Sequence, residues 1–273
     1  MEKKVILITG GSSGIGKACA ERLARAGHNV YATSRRASAE GTRQPEGYTL
    51  LQLDVTSDES VACCVELVMK REGRVDALVN CAVLIYAGAI EDTQVSEAQA
   101  AVDTSFFGVV RMCRAVLPIM RKQGSGHVVI FSSAGGVIGL PFQAFYSASK
   151  FALEGYAEAL RGEVWSFGIR VVLIEPGDFR TGNTANRLRT KESQGDTVYK
   201  AACARAVGVM ENDERHASTP EPVAALVERL LAARSPGLRY MVGPVAEQFA
   251  MVAKRFVPEG IFLWAILKYY GVR

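Results

Sequence analysis

The sequence is poor in the features that mark secreted, metal-binding or nucleic-acid-binding proteins. Its six cysteines among 273 residues are scattered, without the paired spacing of a zinc site or the density of a disulfide framework. The 32 basic residues exceed the 28 acidic residues by a net charge of only +4, which is too small and too dispersed for a nucleic-acid surface. We therefore expect reduced thiols, no metal site and no nucleic-acid partner.

Long apolar runs are also missing. No run approaches the roughly twenty residues that span a bilayer, and strand-like residues begin at Lys3, which leaves no room for a secretory leader. The sequence therefore predicts a cytoplasmic protein without a transmembrane segment. With 49% hydrophobic residues and no repeat, low-complexity tract or linker, residues 1–273 are expected to form one domain.

A strand, a glycine-rich turn and a helix are predicted at the start of the chain. Residues 4–9 form a β-branched run, residues 10–16 read GGSSGIG, and residues 17–26 suit a helix packed on a sheet. Such a turn presents backbone N–H groups and the positive end of the helix dipole to an anion. The pattern predicts a phosphate site, although a glycine-rich turn alone is also typical of flexible loops.

Predicted strands and helices then alternate. The strands are expected at 28–33, 48–54, 75–80, 127–131, 169–174 and 238–242, and the helices at 60–70, 95–121, 145–165 and 220–233. The helix at 95–121 should break or kink near Gly108 and Pro118. This alternation predicts an α/β fold with a doubly wound parallel sheet, right-handed crossovers and flanking helices.

Two segments lie outside this alternation. Residues 178–219 are polar and irregular and follow a strand end, which predicts a substrate lid. Residues 245–273 are expected to form a C-terminal helical extension whose aromatic residues stand among basic ones. Peripheral membrane contact, or a gate for a lipid-like substrate, is one interpretation. We favour packing against the body or a partner subunit, because aromatics at helical spacing are usually buried.

Tyr146 and Lys150 lie four residues apart in a predicted helix and therefore share one face. A close cation lowers the pKa of a tyrosine from its usual value of about 10, so the phenol can exchange a proton in working conditions. The pair predicts an acid/base group, whereas a chance pairing on a helix is the alternative.

The chain resembles the short-chain dehydrogenase/reductase family over nearly its whole length. Six motifs match in order: TGxxxGIG at 9–16, LDV at 53–55, Asn80 with Ala82, Ser133, Tyr146 with Lys150, and PGxxxT at 176–181. The segments GLPF at 139–142 and SKFALEG at 149–155 look like the branch of 17-beta-hydroxysteroid and retinol dehydrogenases. The resemblance implies a Rossmann-type fold with a parallel sheet of about seven strands, hydride exchange between a nicotinamide and an alcohol or carbonyl, and a homodimer or homotetramer.

The resemblance also implies roles for individual residues. Ser133 donates a hydrogen bond to the reacting oxygen, Tyr146 exchanges the proton, and Lys150 holds the phenolate and binds the nicotinamide ribose. The alternatives are a turn-capping hydroxyl for Ser133 and a solvated charge for Lys150. Ser105 stands where the family has a catalytic-tetrad asparagine, so the relay to the lysine is either preserved or weakened. The implied cofactor-binding residues are Gly10, Ser12, Ser13, Gly14, Ile15, Gly16, Ser34, Arg35, Asp54, Val55, Asn80, Ala82, Tyr146, Lys150, Pro176, Gly177 and Thr181.

The end of the second predicted strand indicates the choice of cofactor. NAD-binding members place an acid there, about twenty residues past the turn, whereas this chain reads TSRR at 33–36. Arg35, with Arg36, can pair with a 2′-phosphate, which predicts NADP(H); plain surface charge is the alternative. Asp54 resembles the family residue that bonds the adenine amino group, and a helix-capping acid is its alternative.

The sequence thus predicts an NADP(H)-dependent oxidoreductase with Tyr146 as acid/base. Its substrate would be a hydrophobic secondary alcohol or ketone, such as a steroid, a retinoid or an acyl-chain carbonyl. A 3-oxoacyl-thioester reductase is one alternative. A catalytically silent NADP(H)-binding protein is another, motivated by Ser105 and by Val83, which replaces a family glycine beside the cofactor and would reshape the pocket.

Overall fold

The structure is a computed structural model and describes residues 2–273. Within these residues the chain forms ten strands and ten α-helices. The strands are β1 (Val5–Thr9), β2 (Asn29–Ser34), β3 (Thr42–Arg43), β4 (Thr49–Gln52), β5 (Ala77–Asn80), β6 (Tyr86–Ala87), β7 (Gly126–Phe131), β8 (Ile169–Pro176), β9 (Leu188–Arg189) and β10 (Arg239–Val242). The helices are α1 (Gly14–Arg25), α2 (Asp58–Glu72), α3 (Val95–Val102), α4 (Gly108–Gln123), α5 (Ala144–Val164), α6 (Asn183–Asn186), α7 (Lys200–His216), α8 (Glu221–Ala232), α9 (Val245–Ala253) and α10 (Glu259–Tyr269).

Eight of the described strands form one sheet in the order β10-β8-β7-β5-β1-β2-β4-β3. All neighbours in this sheet pair in parallel except β3, which runs antiparallel to β4 at the edge. The predicted α/β fold with a doubly wound, mostly parallel sheet is therefore confirmed. The eighth strand, β3, was not predicted, because two exposed residues carry no apolar alternation.

The core lies on both faces of the central strand β1. Ile6, Leu7 and Ile8 are fully buried. Leu7 packs into the layer of α2, α4 and α5, whereas Ile6 and Ile8 face the layer of α1 and α8. The chain winds outward from β1 in both directions, through β2 on one side and β5 on the other. A crevice therefore forms at the carboxyl ends of these strands, where open α/β sheets bind ligands.

The predicted helix at 95–121 is interrupted once. A five-residue π-helix, Asp103–Phe107, separates α3 from α4, which begins at Gly108. A Cβ on Gly108 would lie 2.7 Å from Val55 Cγ2, so only glycine allows this approach. The break predicted at Pro118 is wrong, because α4 continues through it, whereas the alternative of a kink there stays a prediction. Pro118 has no N–H to donate to the Arg114 carbonyl, and both residues are exposed, so this carbonyl lies on the solvent side of the helix.

The segment 178–219 is more regular than predicted. It contains α6, the strand β9 paired with β6, and the 17-residue helix α7. The buried face of α7 consists of Cys203, Ala206, Val207 and Met210. Their spacing is typical of a helix, but the polar residues around them obscured this pattern in the sequence.

The C-terminal segment forms α9 and α10. Met251 and Phe262 are buried against Ile138, whereas Phe249 and Phe256 are largely exposed. Burial of the aromatic residues is therefore only partial, and the contact of this extension with a membrane or a partner subunit stays a prediction. None of the helices described in residues 2–273 is long and apolar enough to cross a membrane.

Candidate active site

The glycine-rich turn joins the carboxyl end of β1 to the N-terminus of α1. Gly10 and Gly14 have φ angles of 65° and 54°, which side chains with a Cβ rarely adopt. A Cβ on Gly16 would lie 2.4 Å from the Gly10 carbonyl oxygen, so α1 approaches the turn as only glycine permits. The Ser13 side chain makes no capping bond and the first turn of α1 holds no acid. The backbone N–H groups and the helix dipole are therefore directed at an external anion.

A cleft of about 630 Å³ lies above this turn, along the carboxyl ends of the parallel strands. Its size is within the range of ligand pockets. The predicted cofactor residues that line it are Gly10, Ser12, Ser13, Gly14, Ile15, Gly16, Ser34, Arg35, Asp54, Val55, Ala82, Tyr146, Lys150, Pro176 and Gly177. The fold therefore brings residues from five separate motifs to one surface.

Asn80 and Thr181 are not among the residues that line this cleft. Asn80 is buried at the end of β5, where its Nδ2 lies 3.4 Å from the Val129 carbonyl oxygen. Thr181 lies against the turn, since a Cβ on Gly14 would be 3.3 Å from Thr181 Cβ. Thr181 lines a smaller neighbouring pocket instead.

Sequence reasoning missed several residues that line the cleft: Thr33, Leu53, Cys81, Leu84, Thr104, Phe131, Ser132, Asn186 and Leu188. Those that follow strand ends, such as Cys81 and Ser132, could have been found from the rule that sites form at carboxyl ends of parallel strands. Thr104, Asn186 and Leu188 reach the cleft through helix packing and the 178–219 segment, and no local pattern marks them. Val83 lines the cleft where the resemblance implied glycine.

The far end of the cleft carries two arginines and one carboxylate. Arg35 and Arg36 are exposed and line it. Burial raises the pKa of Asp54, but two hydrogen bonds from Thr56 to its Oδ1, at 2.9 and 2.7 Å, and the nearby Arg35 charge hold it below its usual value. Asp54 is therefore an ionised acceptor. Ser57, rather than Asp54, caps α2.

Ser133, Tyr146 and Lys150 meet where β7 faces α5. Ser133 follows β7, and its hydroxyl hydrogen-bonds the Tyr146 phenol while it also accepts from the Gly135 N–H at 3.1 Å. Lys150 is 5% exposed, donates from Nζ to the Phe131 carbonyl oxygen at 2.7 Å, and lies 5.7 Å from the centroid of the Tyr146 ring. Lys150 is thus a buried cation and not a solvated charge.

Burial is the largest cause of the pKa shifts of Tyr146 and Lys150. It raises the pKa of Tyr146 to about 12, with a further increase from the Asp178 and Glu214 carboxylates, while the Ser133 hydrogen bond opposes the shift. Burial also lowers the pKa of Lys150 to about 8. The net shift of the Tyr146 pKa is therefore upward, because desolvation of the phenolate outweighs the hydrogen bond from Ser133 and the charge of Arg187. A lowering of this pKa by Lys150 stays a prediction.

Ser105 lies in the π-helix and is 1% exposed. Its Oγ accepts from the Leu84 N–H at 3.1 Å, and its hydroxyl faces the Leu84 carbonyl oxygen at 3.3 Å. Ser105 is not among the residues that line the cleft, whereas Leu84 is. Its side chain is therefore placed to hold the loop after β5 through the Leu84 backbone.

A second pocket of about 80 Å³ adjoins Ser133 and Tyr146 and reaches Ile15 of the glycine-rich turn. Residues of the 178–219 segment and the C-terminal extension form much of its wall: Asp178, Phe179, Thr181, Arg187, Met210, Glu214 and Tyr270. Burial and neighbouring carboxylates raise the pKa of Asp178 to about 7. This pocket combines charged groups with apolar surface next to the reactive hydroxyls.

Comparison with known proteins gives four findings. The family model described as short chain dehydrogenase matches residues 4–192. A 3-ketodihydrosphingosine reductase of Bacteroides thetaiotaomicron is 40% identical over 273 residues, which are 100% of both chains. Retinol dehydrogenase 8 of Bos taurus is 36% identical over 252 residues, 86% of this chain and 80% of that protein. A crystal structure of a short-chain dehydrogenase from Streptomyces avermitilis is 34% identical, with a TM-score of 0.79 over 98% of each chain.

Proposed function

The chain belongs to the short-chain dehydrogenase family, and we propose that it is an NADP(H)-dependent reductase of a long-chain ketone of the 3-ketodihydrosphingosine type. Family membership confirms the resemblance read from the motifs and makes the chain an oxidoreductase of CH–OH and C=O groups. The observation that carries the narrower proposal is the 40% identity, from end to end, to a 3-ketodihydrosphingosine reductase.

The residues of the cleft fit a nicotinamide dinucleotide. A Cβ on Gly16 would clash with the Gly10 carbonyl oxygen. Because glycine has no Cβ, the turn packs closely against the N-terminus of α1, where the pyrophosphate would bind. Arg35 would hold the 2′-phosphate, Asp54 the adenine amino group, and Lys150 the nicotinamide ribose. When bound, the cofactor supplies the hydride to the ketone carbon.

Ser133 and Tyr146 would hold the ketone oxygen by two hydrogen bonds. Negative charge builds on this oxygen as hydride reaches the carbon, and donors placed in advance stabilise it. Because burial raises the pKa of Tyr146 to about 12, its phenol is protonated at neutral pH and can donate the proton that yields the alcohol. The Lys150 ammonium, held by the Phe131 carbonyl, would then stabilise the phenolate that is left.

The substrate assignment is tested by the absorbance of NADPH with four substrates: 3-ketodihydrosphingosine, all-trans-retinal, a 17-ketosteroid and a 3-oxoacyl thioester. We expect the highest kcat/KM for 3-ketodihydrosphingosine. Faster turnover of the retinal or the steroid would favour a function like that of the retinol dehydrogenase relative. Tight NADPH binding without turnover of any of the four would support the catalytically silent alternative and refute the proposal.

The cofactor assignment is tested with Arg35→Asp. The change replaces a cation able to pair with the 2′-phosphate by a carboxylate that repels it, so the ratio of kcat/KM for NADPH to that for NADH should fall by about tenfold or more. Arg43→Asp is the matched control, because Arg43 is an exposed arginine on β3 outside the cleft. An unchanged ratio in Arg35→Asp would remove Arg35 from the phosphate site.

A further inference from the structure

Resting on the proposed function, we propose that the pocket beside Tyr146 binds an amino-alcohol head group on the substrate. Asp178 would pair with the ammonium group, and Arg187 would donate to the hydroxyl oxygen. The pocket shares Ser133 and Tyr146 with the cofactor cleft. A group attached next to the reacting carbonyl carbon therefore falls inside this pocket.

The charge balance of the pocket favours a cation. Its charged lining residues are two carboxylates, Asp178 and Glu214, against one guanidinium, Arg187. Glu214 already accepts hydrogen bonds from Arg187 Nη2 and from the Thr184 hydroxyl. Burial destabilises the ionised form of Asp178 most, and the carboxylates of Glu247, Glu214 and Asp213 destabilise it further. The Arg187 charge offsets only part of this destabilisation. An ammonium group would compensate the Asp178 charge.

The Arg187 guanidinium supplies an independent indication of a ligand. Its side chain is 3% exposed, and its Nε and Nη1 have no hydrogen-bond partner. The Nη1 atom is 4.0 Å from Glu211 Oε1, which is beyond hydrogen-bond distance. A buried N–H without an acceptor is costly. A ligand oxygen in this pocket would provide the missing acceptor.

These two requirements select one chemical class. A 3-ketodihydrosphingosine carries an amine on the carbon next to the ketone and a hydroxyl on the following carbon, so both groups accompany the ketone to Tyr146. A retinoid or a steroid ketone brings neither group, so it would leave the Asp178 charge uncompensated and Arg187 Nε and Nη1 without acceptors. Sites with buried polar groups discriminate strongly against ligands that leave those groups unpaired.

The test compares wild type with Asp178→Asn on two substrates, 3-ketodihydrosphingosine and its deaminated analogue with the same chain, ketone and hydroxyl. Loss of a charge-assisted contact should raise KM for the amino ketone by about tenfold to a hundredfold. It should change kcat/KM for the deaminated ketone by less than about threefold. Asp213→Asn is the matched control, because it removes a nearby carboxylate that does not line the pocket.

A binding measurement separates recognition from catalysis. Isothermal titration of dihydrosphingosine, the amino-alcohol product, into the complex with NADP⁺ should show Kd raised by about tenfold or more in Asp178→Asn, with little change for the deaminated diol. In parallel, Arg187→Lys should weaken binding of dihydrosphingosine more than binding of its analogue without the terminal hydroxyl.

Three outcomes would overturn the inference: equal losses on both substrates, no preference of the wild type for the amine, or an unchanged Kd in Asp178→Asn. Each leaves the proposed function intact if the wild type still reduces 3-ketodihydrosphingosine. Absence of turnover of either ketone by the wild type would instead refute the proposed function, and the titration would still decide the role of Asp178.

Discussion

Replacement of Ser105 by alanine tests whether this residue positions the loop after β5, which lines the cleft, or acts in a proton relay. The Ser105 hydroxyl accepts from the Leu84 N–H at 3.1 Å and lies 3.3 Å from the Leu84 carbonyl oxygen. Ser105→Ala removes both contacts and leaves a backbone N–H without its acceptor. Because Leu84 lines the cofactor cleft, the loss of these contacts should lower folding stability and weaken NADPH binding.

The magnitude follows from the lost acceptor. A partly buried N–H left unpaired costs about 2 kcal/mol of unfolding free energy. For a chain of this size that loss corresponds to a Tm lower by about 4–8 °C. If ordering the loop around NADPH costs the variant about 1 kcal/mol more binding free energy than the wild type, Kd for NADPH rises by about fivefold. The kcat value should stay within about twofold, since both hydrogen bonds of the hydroxyl are to the Leu84 backbone.

The assays are thermal unfolding, NADPH fluorescence and steady-state turnover. Ser149→Ala is the matched control, because Ser149 is also 1% exposed but donates to the Phe145 carbonyl oxygen within α5. We expect Ser149→Ala to leave Kd for NADPH unchanged. A kcat lowered by about a hundredfold in Ser105→Ala, with unchanged Tm and Kd, would be the signature of a lost proton-transfer group and would refute the positioning role.

Three further predictions address the phenol, the turn and a buried carboxyl. Tyr146→Phe should keep NADPH binding and lower kcat by about a hundredfold or more; rates like those of the wild type would refute the mechanism. Gly16→Ala should weaken NADPH binding by about tenfold or more, because the added Cβ would lie 2.4 Å from the Gly10 carbonyl oxygen, whereas Gly162→Ala, in α5 with no atom within 4 Å, should not. Burial and a neighbouring carboxylate raise the pKa of Glu175 from 4.5 to about 7 in the folded protein. The native state therefore holds this proton more tightly than the unfolded chain, and stability falls by up to about 3 kcal/mol as pH rises from about 4.5 to about 7. Denaturant unfolding measured across this pH range should show that the unfolding free energy of Glu175→Gln depends less steeply on pH than that of the wild type. An unchanged dependence on pH would contradict the assignment.

The architecture, and the position of the site motifs along the chain, follow from local patterns in the sequence. Runs such as the fully buried Ile6, Leu7 and Ile8 identify interior strands, and helices of period 3.6 separate them, so the parallel sheet follows from local patterns. The glycine-rich turn and the pair Tyr146 and Lys150 were also readable, because their geometry depends on residues close in sequence. The break at Pro118 and the irregular structure expected where α7 forms were wrong predictions, because both depend on which helix face meets solvent.

The burial, the pKa shifts and the long-range contacts of the site residues depend instead on tertiary packing. Burial raises the pKa of Tyr146 where spacing alone predicted a lower value, and packing turns Ser105 toward Leu84. The pocket of Asp178 and Arg187 joins a strand end to the neighbourhood of α6 and α7. Desolvation and contact between distant residues depend on how the layers close around a site, and no local pattern carries that information.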